Sequence, residues 1–202
     1  MGLIDEAVAA IRAGKPVVLP TDTVYGLVAT PYREEPTRII YRLKRRPETI
    51  PSALLCSDLE MLFECVPELR GGSGLIARAL LPGAYTLVLP NPARRYRWLT
   101  GSSPDTIGVR VPDLEGPARD VIERLGAVVA TSANLHGEPE ATRVEDVPEE
   151  IRVAAGAVVD GGALPGVPST VIDFTGSEPR VLREGAAPSG PALELVAPLV
   201  HR

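Results

Sequence analysis

Histidine and cysteine are nearly missing from this chain. His136 and His201 are its only histidines, and Cys56 and Cys65 its only cysteines. That is too few for a His-rich metal centre, and no C-x-x-C pattern exists to suggest a disulfide framework or a zinc knuckle. The common nucleotide loops are absent too, both the Walker G-x-x-x-x-G-K-[ST] and the G-x-G-x-x-G fingerprint. No G-x-S-x-G elbow is present. His136 lies too close in sequence to Ser132, with no oriented acid, to argue for a Ser–His pair, so acyl-enzyme chemistry is disfavoured. Aromatics are only 4% of 202 residues, so the core must be built from Val, Leu, Ile and Ala. No apolar run is long enough to cross a bilayer, and the N-terminus lacks a basic leader, which points to a cytoplasmic protein with no membrane partner. The net charge of -5 argues against a surface given over to nucleic acid, while leaving room for a local basic cavity.

What remains is an ordinary globular composition, 45% hydrophobic and 23% charged, punctuated by 21 prolines and 19 glycines. It fits one domain over residues 1–202, with a core of about 3–185 and a C-terminal tail over 186–202, loose at Ala186–Gly190 and placed to dock on the body through Leu193, Leu195 and Val196. Leu3, Ile4, Ala7, Val8 and Ile11 recur at helical spacing, with Gly14 placed as a C-terminal cap. A second helix is expected through Thr37–Lys44, one capped by Asp58, one over Leu75–Leu80 stopped by Pro82-Gly83, and one from Pro117 to Leu125. Strands are expected at Val17–Leu19, Ala53–Cys56, Tyr85–Leu89, Ile107–Val111, Ala127–Ala130, Ala157–Val159, Thr170–Asp173 and Arg180–Arg183. Helices and strands alternate early and strands crowd later. The pattern predicts an α/β fold: a twisted, mixed parallel and antiparallel sheet flanked by helices.

Polar motifs sit at the ends of these strands, where ligands of open α/β sheets usually bind. Pro20-Thr21-Asp22-Thr23-Val24-Tyr25-Gly26-Leu27 follows the Val17 strand. Thr21, Thr23 and Tyr25 offer hydrogen bonds, and Gly26 allows close backbone approach or positive φ; hydroxyl-capped turns of no function look the same. Lys44 and Arg46 fall where a helix ends before Pro47. They serve either the helix dipole or a polyphosphate, as point charge and bidentate fork. Ser132 and Asn134 close another strand, able to donate to a nucleotide or to satisfy their own backbone. Asp22 and Asp173 suit a metal or a cap, and no metal ligand is assigned. Arg94-Arg95-Tyr96-Arg97-Trp98 interleaves cations with aromatics as an RNA-contacting loop does, or as a solvated loop with Trp98 tucked onto the body.

These motifs, with Pro82-Gly83-Ala84-Tyr85-Thr86, Thr106–Pro112, Ser169–Asp173 and Leu182-Arg183-Glu184-Gly185, make the chain resemble the YrdC/YciO family from about Pro16 to Gly185. Its best-known members are L-threonylcarbamoyladenylate synthases, which begin the threonylcarbamoyl modification of tRNA. The resemblance implies a YrdC-like fold and a nucleotidyltransferase using ATP, L-threonine and bicarbonate with Mg²⁺, and a tRNA-modifying transferase complex to take the product. It implies Lys44 and Arg46 as catalytic residues on the ATP phosphates, and Thr106, Ser132, Asn134 and Arg183 as further nucleotide contacts. Thr23, Arg110 and Ser169 are implied for the amino acid. The sequence departs from well-characterised members at Ile50, Leu55 and Glu140, and its Leu54–Leu59 and Pro168–Phe174 runs resemble the YciO branch. That branch supplies the alternative, an RNA-binding or ribosome-associated module taking double-stranded RNA or tRNA with weak or no synthase activity. A third option is a nucleotide hydrolase that ignores threonine.

Overall fold

The computed structural model describes residues 2–200. The amphipathic opening segment forms α1 (Leu3–Arg12). A hairpin follows, β1 (Val17–Leu19) and β2 (Gly26–Ala29), then α2 (Glu34–Leu43), β3 (Ala53–Cys56) and α3 (Leu59–Cys65). Asp58 caps α3, its carboxylate accepting from the Met61 N–H at 2.8 Å. Next come α4 (Gly72–Leu80), β4 (Tyr85–Pro90), β5 (Thr106–Arg110), α5 (Gly116–Leu125) and β6 (Ala127–Ser132). The chain closes with α6 (Glu149–Ala154), β7 (Ala157–Val158), β8 (Thr170–Asp173), β9 (Arg180–Arg183) and α7 (Ser189–Val196).

The nine strands form one sheet in the order β7-β1-β2-β6-β3-β5-β4-β8-β9. The β1/β7, β3/β5 and β4/β8 pairs are parallel and the rest antiparallel, so the mixed sheet is as expected. Strand β2 and helices α6 and α7 were not anticipated. In β2 the short apolar run is masked by the polar motif before it. The loop from Pro20 to Tyr25 doubles back, so β2 pairs with β1 in the register Leu19↔Gly26.

Alternation along the strands gives the sheet two unlike faces. Leu27, Leu54, Leu87, Leu89, Ile107, Val109 and Val129 look to one side, where Ile40 of α2, Leu62 and Phe63 of α3 and Ile76 and Leu80 of α4 complete the larger core. Val17, Leu19, Val28, Val128 and Leu55 look to the other, and pack on Ala7, Val8 and Ile11 of α1, on Val121 and Ile122 of α5 and on Val159. Helices therefore cover one face fully and the second face at one end only.

The Ala186–Gly190 stretch, expected to be loose, is fastened. Ala186 N–H donates to Pro168 O at 2.8 Å, the Thr170 hydroxyl to Ala187 O, and the Tyr85 hydroxyl to Pro188 O at 2.9 Å. Ala192 and Val196 of α7 are buried in the larger core. Among the described residues no helix is long and apolar enough to cross a membrane.

Candidate active site

The uncovered part of the second face is a cavity of about 350 Å³, within the usual range for small-molecule sites. Its floor is a cross-strand row of small side chains. Ala130 of β6 stands opposite Ala53 of β3, Ala53 beside Gly108 of β5, and Gly108 opposite Val88 of β4. Large residues there would fill the space; the next positions out, Leu55 and Arg110, flank it. The site thus lies across the face of the sheet, and Arg110, Ser132 and Arg183 reach it from the ends of β5, β6 and β9.

Seven of the nine expected site residues line this one cavity: Thr23, Arg46, Thr106, Arg110, Ser132, Ser169 and Arg183. They come from segments far apart in sequence, and the sheet order brings them together. Lys44 and Asn134 do not line it. Lys44 is 1% exposed. Its ammonium donates to the Ser132 carbonyl, to the Asn134 carbonyl at 2.5 Å and to Asn134 Oδ1 at 3.0 Å. The Ser132 hydroxyl donates to Asn134 Oδ1 at 2.5 Å, and the Asn134 amide donates to Glu138 O at 2.5 Å. Of the two readings of the Ser-x-Asn turn, internal satisfaction describes Asn134, while Ser132 still faces the cavity. The turn at Arg45, with φ of 52°, sends Lys44 inward and Arg46 into the cavity.

Three guanidinium groups converge on the space. Arg46 Nη2 donates to Pro51 O at 2.7 Å, and its buried Nε has no partner among the described residues. Arg183 donates through Nε and Nη2 to the Ser169 carbonyl, at 3.0 and 2.9 Å, and to its hydroxyl at 3.2 Å. That hydroxyl also shares a hydrogen bond with Thr86 at 2.8 Å. Arg110 is paired with Asp22, each side chain 10% exposed, and Arg110 Nε and Asp22 Oδ2 have no partner among the described residues. Burial, then the charge of Arg183, lowers the pKa of Arg46. Burial also lowers that of Arg183; Glu140 opposes this and Arg110 adds to it. The guanidiniums thus crowd one another in a partly dehydrated space, and an anion relieves that crowding. Lys44, behind them, is pulled from 10.5 to about 7 by burial and by Arg46, against an upward pull from Glu140.

The Pro20–Leu27 motif divides its labour. Thr21 Oγ1 donates to Val24 O at 2.7 Å, accepts from the Thr23 and Val24 N–H groups at 3.2 and 3.3 Å, and lies 3.0 Å from Thr23 Oγ1. Gly26 gives close approach without positive φ, for a Cβ there would meet Thr21 Cγ2 at 3.2 Å. Tyr25, expected to offer its phenol to a ligand, is fully buried. It donates to Asp160 at 3.1 Å and Gly162 O at 2.9 Å, and accepts from Gly161 N–H at 2.9 Å. Its role is to fasten the 160–162 loop. Asp173 caps Thr175 and pairs with Arg180. Glu140, noted in sequence only as a departure, lines the cavity as its one acidic side chain.

The 94–98 loop turns two of its three cations to protein carboxylates. Arg94 pairs with Asp105 at 2.7 Å and Arg95 with Glu68 at 2.8 Å. The Trp98 indole donates to Pro31 O at 2.9 Å. The tucked, solvated loop is the observed arrangement.

Known proteins share this architecture. The Sua5/YciO/YrdC family model, described as telomere recombination, matches residues 9–185. The threonylcarbamoyl-AMP synthase of Pyrococcus abyssi is 36% identical over 90% of this chain and 54% of its own. A putative threonylcarbamoyl-AMP synthase of Mycobacterium tuberculosis is 32% identical over 90% and 83%. The crystal structure of P. abyssi Sua5 complexed with L-threonine superposes with a TM-score of 0.87 at 35% identity, covering 96% of this chain and 57% of that one. E. coli YciO gives 0.77 at 31%, covering 95% and 93%. The chain therefore spans about half the length of the Pyrococcus relative and nearly all of YciO. The family model over residues 9–185 and these likenesses show that the chain belongs to the Sua5/YciO/YrdC family.

Proposed function

We propose that this protein makes L-threonylcarbamoyladenylate from L-threonine, bicarbonate and ATP, releasing pyrophosphate and water, for the threonylcarbamoyl modification of tRNA. The observation that carries the reading is the convergence of Arg46, Arg110 and Arg183 with Thr23, Thr106, Ser132 and Ser169 on one cavity floored by Ala53, Gly108 and Ala130. Relatives named threonylcarbamoyl-AMP synthase, and the L-threonine complex of the Pyrococcus protein, support the choice of substrates.

The threonine amine and bicarbonate give a carbamate, whose oxygen attacks the α-phosphorus in line as the bond to pyrophosphate breaks. No covalent nucleophile from the protein is required; holding the reactants together and offsetting phosphate charge suffice. Arg46 and Arg183 suit the phosphates, as forked donors in a partly dehydrated space. Arg110, steadied by Asp22, suits the amino-acid carboxylate, with Thr23 and Ser169 at its sides. Thr106 and Ser132 suit the nucleoside. Among the described residues no group of three carboxylate, histidine or cysteine side chains could cage a metal. Glu140, the one acidic side chain lining the cavity, would help to hold Mg²⁺ entering with the nucleotide, and the ion would supply charge neutralisation. The product is a mixed anhydride, and a tRNA-modifying transferase in the same compartment, which we take to be the cytoplasm, would consume it.

The test is incorporation of labelled bicarbonate into a threonine- and ATP-dependent adenylate. Turnover in the wild type, with at least a hundredfold loss in Arg46→Ala, is the expected result. ATP breakdown indifferent to threonine would instead mark a hydrolase. The RNA-module alternative draws less support, because Arg94 and Arg95 are already paired.

A further inference from the structure

Lys15 and Lys44 are the only lysines among the 21 basic residues of this chain. Arginine serves almost everywhere else, including in the cavity itself, so a retained lysine calls for a reason. At Lys44 the surroundings supply one. An ammonium has three N–H donors and no acceptor. Here three oxygens meet it: the Ser132 carbonyl, the Asn134 carbonyl and Asn134 Oδ1. The main chain completes the bracket, His136 N–H donating to Lys44 O at 2.9 Å. A planar guanidinium fork cannot direct donors at three oxygens grouped around one point, whereas a compact ammonium can. With its donors engaged and 1% of its surface exposed, Lys44 has nothing left to offer a phosphate.

We propose that Lys44 is a positioning residue and not a phosphate ligand. Its ammonium is a buried three-way clamp that ties the end of α2 to the end of β6 and fixes Asn134. Asn134 in turn accepts from the Ser132 hydroxyl and so sets the side chain that faces the cavity. Phosphate recognition then falls to Arg46 and Arg183, which line the space. The inference rests on the nucleotide reading of the site only for its ligand assays; the clamp itself exists without ligand.

The experiment uses the full chain with ¹⁵N-labelled lysine, which gives two side-chain ammonium signals. In the free protein at mildly acidic pH the Lys44 protons should exchange with water far more slowly than those of Lys15. The Lys44 signal should sit at the same position with AMP as with ATP and Mg²⁺. Protons that exchange as fast as those of Lys15 overturn the clamp, and so does a signal that moves only when β- and γ-phosphates are present. In parallel, Lys44→Met should weaken AMP, ADP and ATP by one common factor of about tenfold, while the loss in Arg46→Ala should grow from AMP to ATP. A Lys44→Met loss that grows with phosphate number refutes the proposal. If Lys44→Met does not fold, the wild-type signals decide alone. If the wild type binds no nucleotide, the proposed function fails while the proton-exchange measurement still settles the clamp.

Discussion

Gly108 offers the sharpest separation of fold from function. It sits in the middle of β5, paired with Ala53 on one side and Val88 on the other, and forms part of the cavity floor. A Cβ added there would find Ser52 O and Thr86 Cγ2 at 3.8 Å and the Ala53 Cα at 3.9 Å, ordinary contact distances. The backbone is extended, so a β-branched residue suits it. Replacing a strand glycine recovers roughly 0.5–1 kcal/mol of conformational entropy. For a chain of 202 residues that corresponds to a rise in Tm of about 1–4 °C. Gly108→Val should therefore fold at least as well as the wild type.

Ligand binding should respond in the opposite direction. The two methyl groups stand where the bound molecule must lie, and overpacking of this kind costs about 1–3 kcal/mol. Since the apo protein has open space at that point, the penalty falls on the complex, weakening ATP by about 5- to 150-fold. Calorimetric titration with ATP beside a thermal melt reads both quantities, with Gly108→Ala as the intermediate case. ATP affinity within twofold of wild type would show that the ligand does not rest on this floor. A collapsed melting temperature would show that the floor is packed and not open. Either result defeats the reasoning.

Asp22→Ala leaves the Arg110 guanidinium almost buried without its counter-charge. Breaking such a pair costs about 3 kcal/mol, hence a drop in Tm of about 6–12 °C, with KM for threonine rising more than KM for ATP; equal effects on both would remove Arg110 from the amino-acid end. Lys44 has a folded pKa of about 7 against an ordinary 10.5, so between those values the unfolded chain holds a proton the folded one has released. Its contribution thus makes unfolding free energy rise with pH across that window; urea melts near pH 6.5 and 9.5 should show a slope that Lys44→Met removes, and identical slopes contradict it. The combined Arg94, Arg95 and Arg97 change to alanine should leave RNA affinity and its salt dependence almost unaltered, because two of the three charges are already matched. A steep loss in a filter-binding assay would revive the RNA-module reading.

The sequence showed nearly all the elements, because most announce themselves locally: a 3.6-residue stripe in α1, a cap at Asp58, short β-branched runs between prolines. What it hid depends on neighbours distant in the chain. Lys44 is the clearest case. Read as a helix-end cation beside Arg46, it pairs naturally with a phosphate. Yet Thr37, Ile40 and Tyr41 form the buried stripe of α2, and Lys44 continues that stripe at i+3 and i+4. That spacing signals a lysine pointing inward, while Arg46, beyond the reversal at Arg45, looks out into the cavity.

The floor is hidden for a different reason. Each strand shows its share: Ala53 before Leu54, Gly108 between Ile107 and Val109, Ala130 after Val129. A small residue on one strand reads as a weak point of the sheet. Three become a cavity only if they fall in one row, and that requires β6 to lie between β2 and β3, and β5 to lie beside β3. A slip of one residue in the β3/β5 register would swing Ile107 or Val109 onto the face that Gly108 now opens. The same slip would carry Arg110 away from that face, so a single register fixes both the room for a ligand and the charge that meets it.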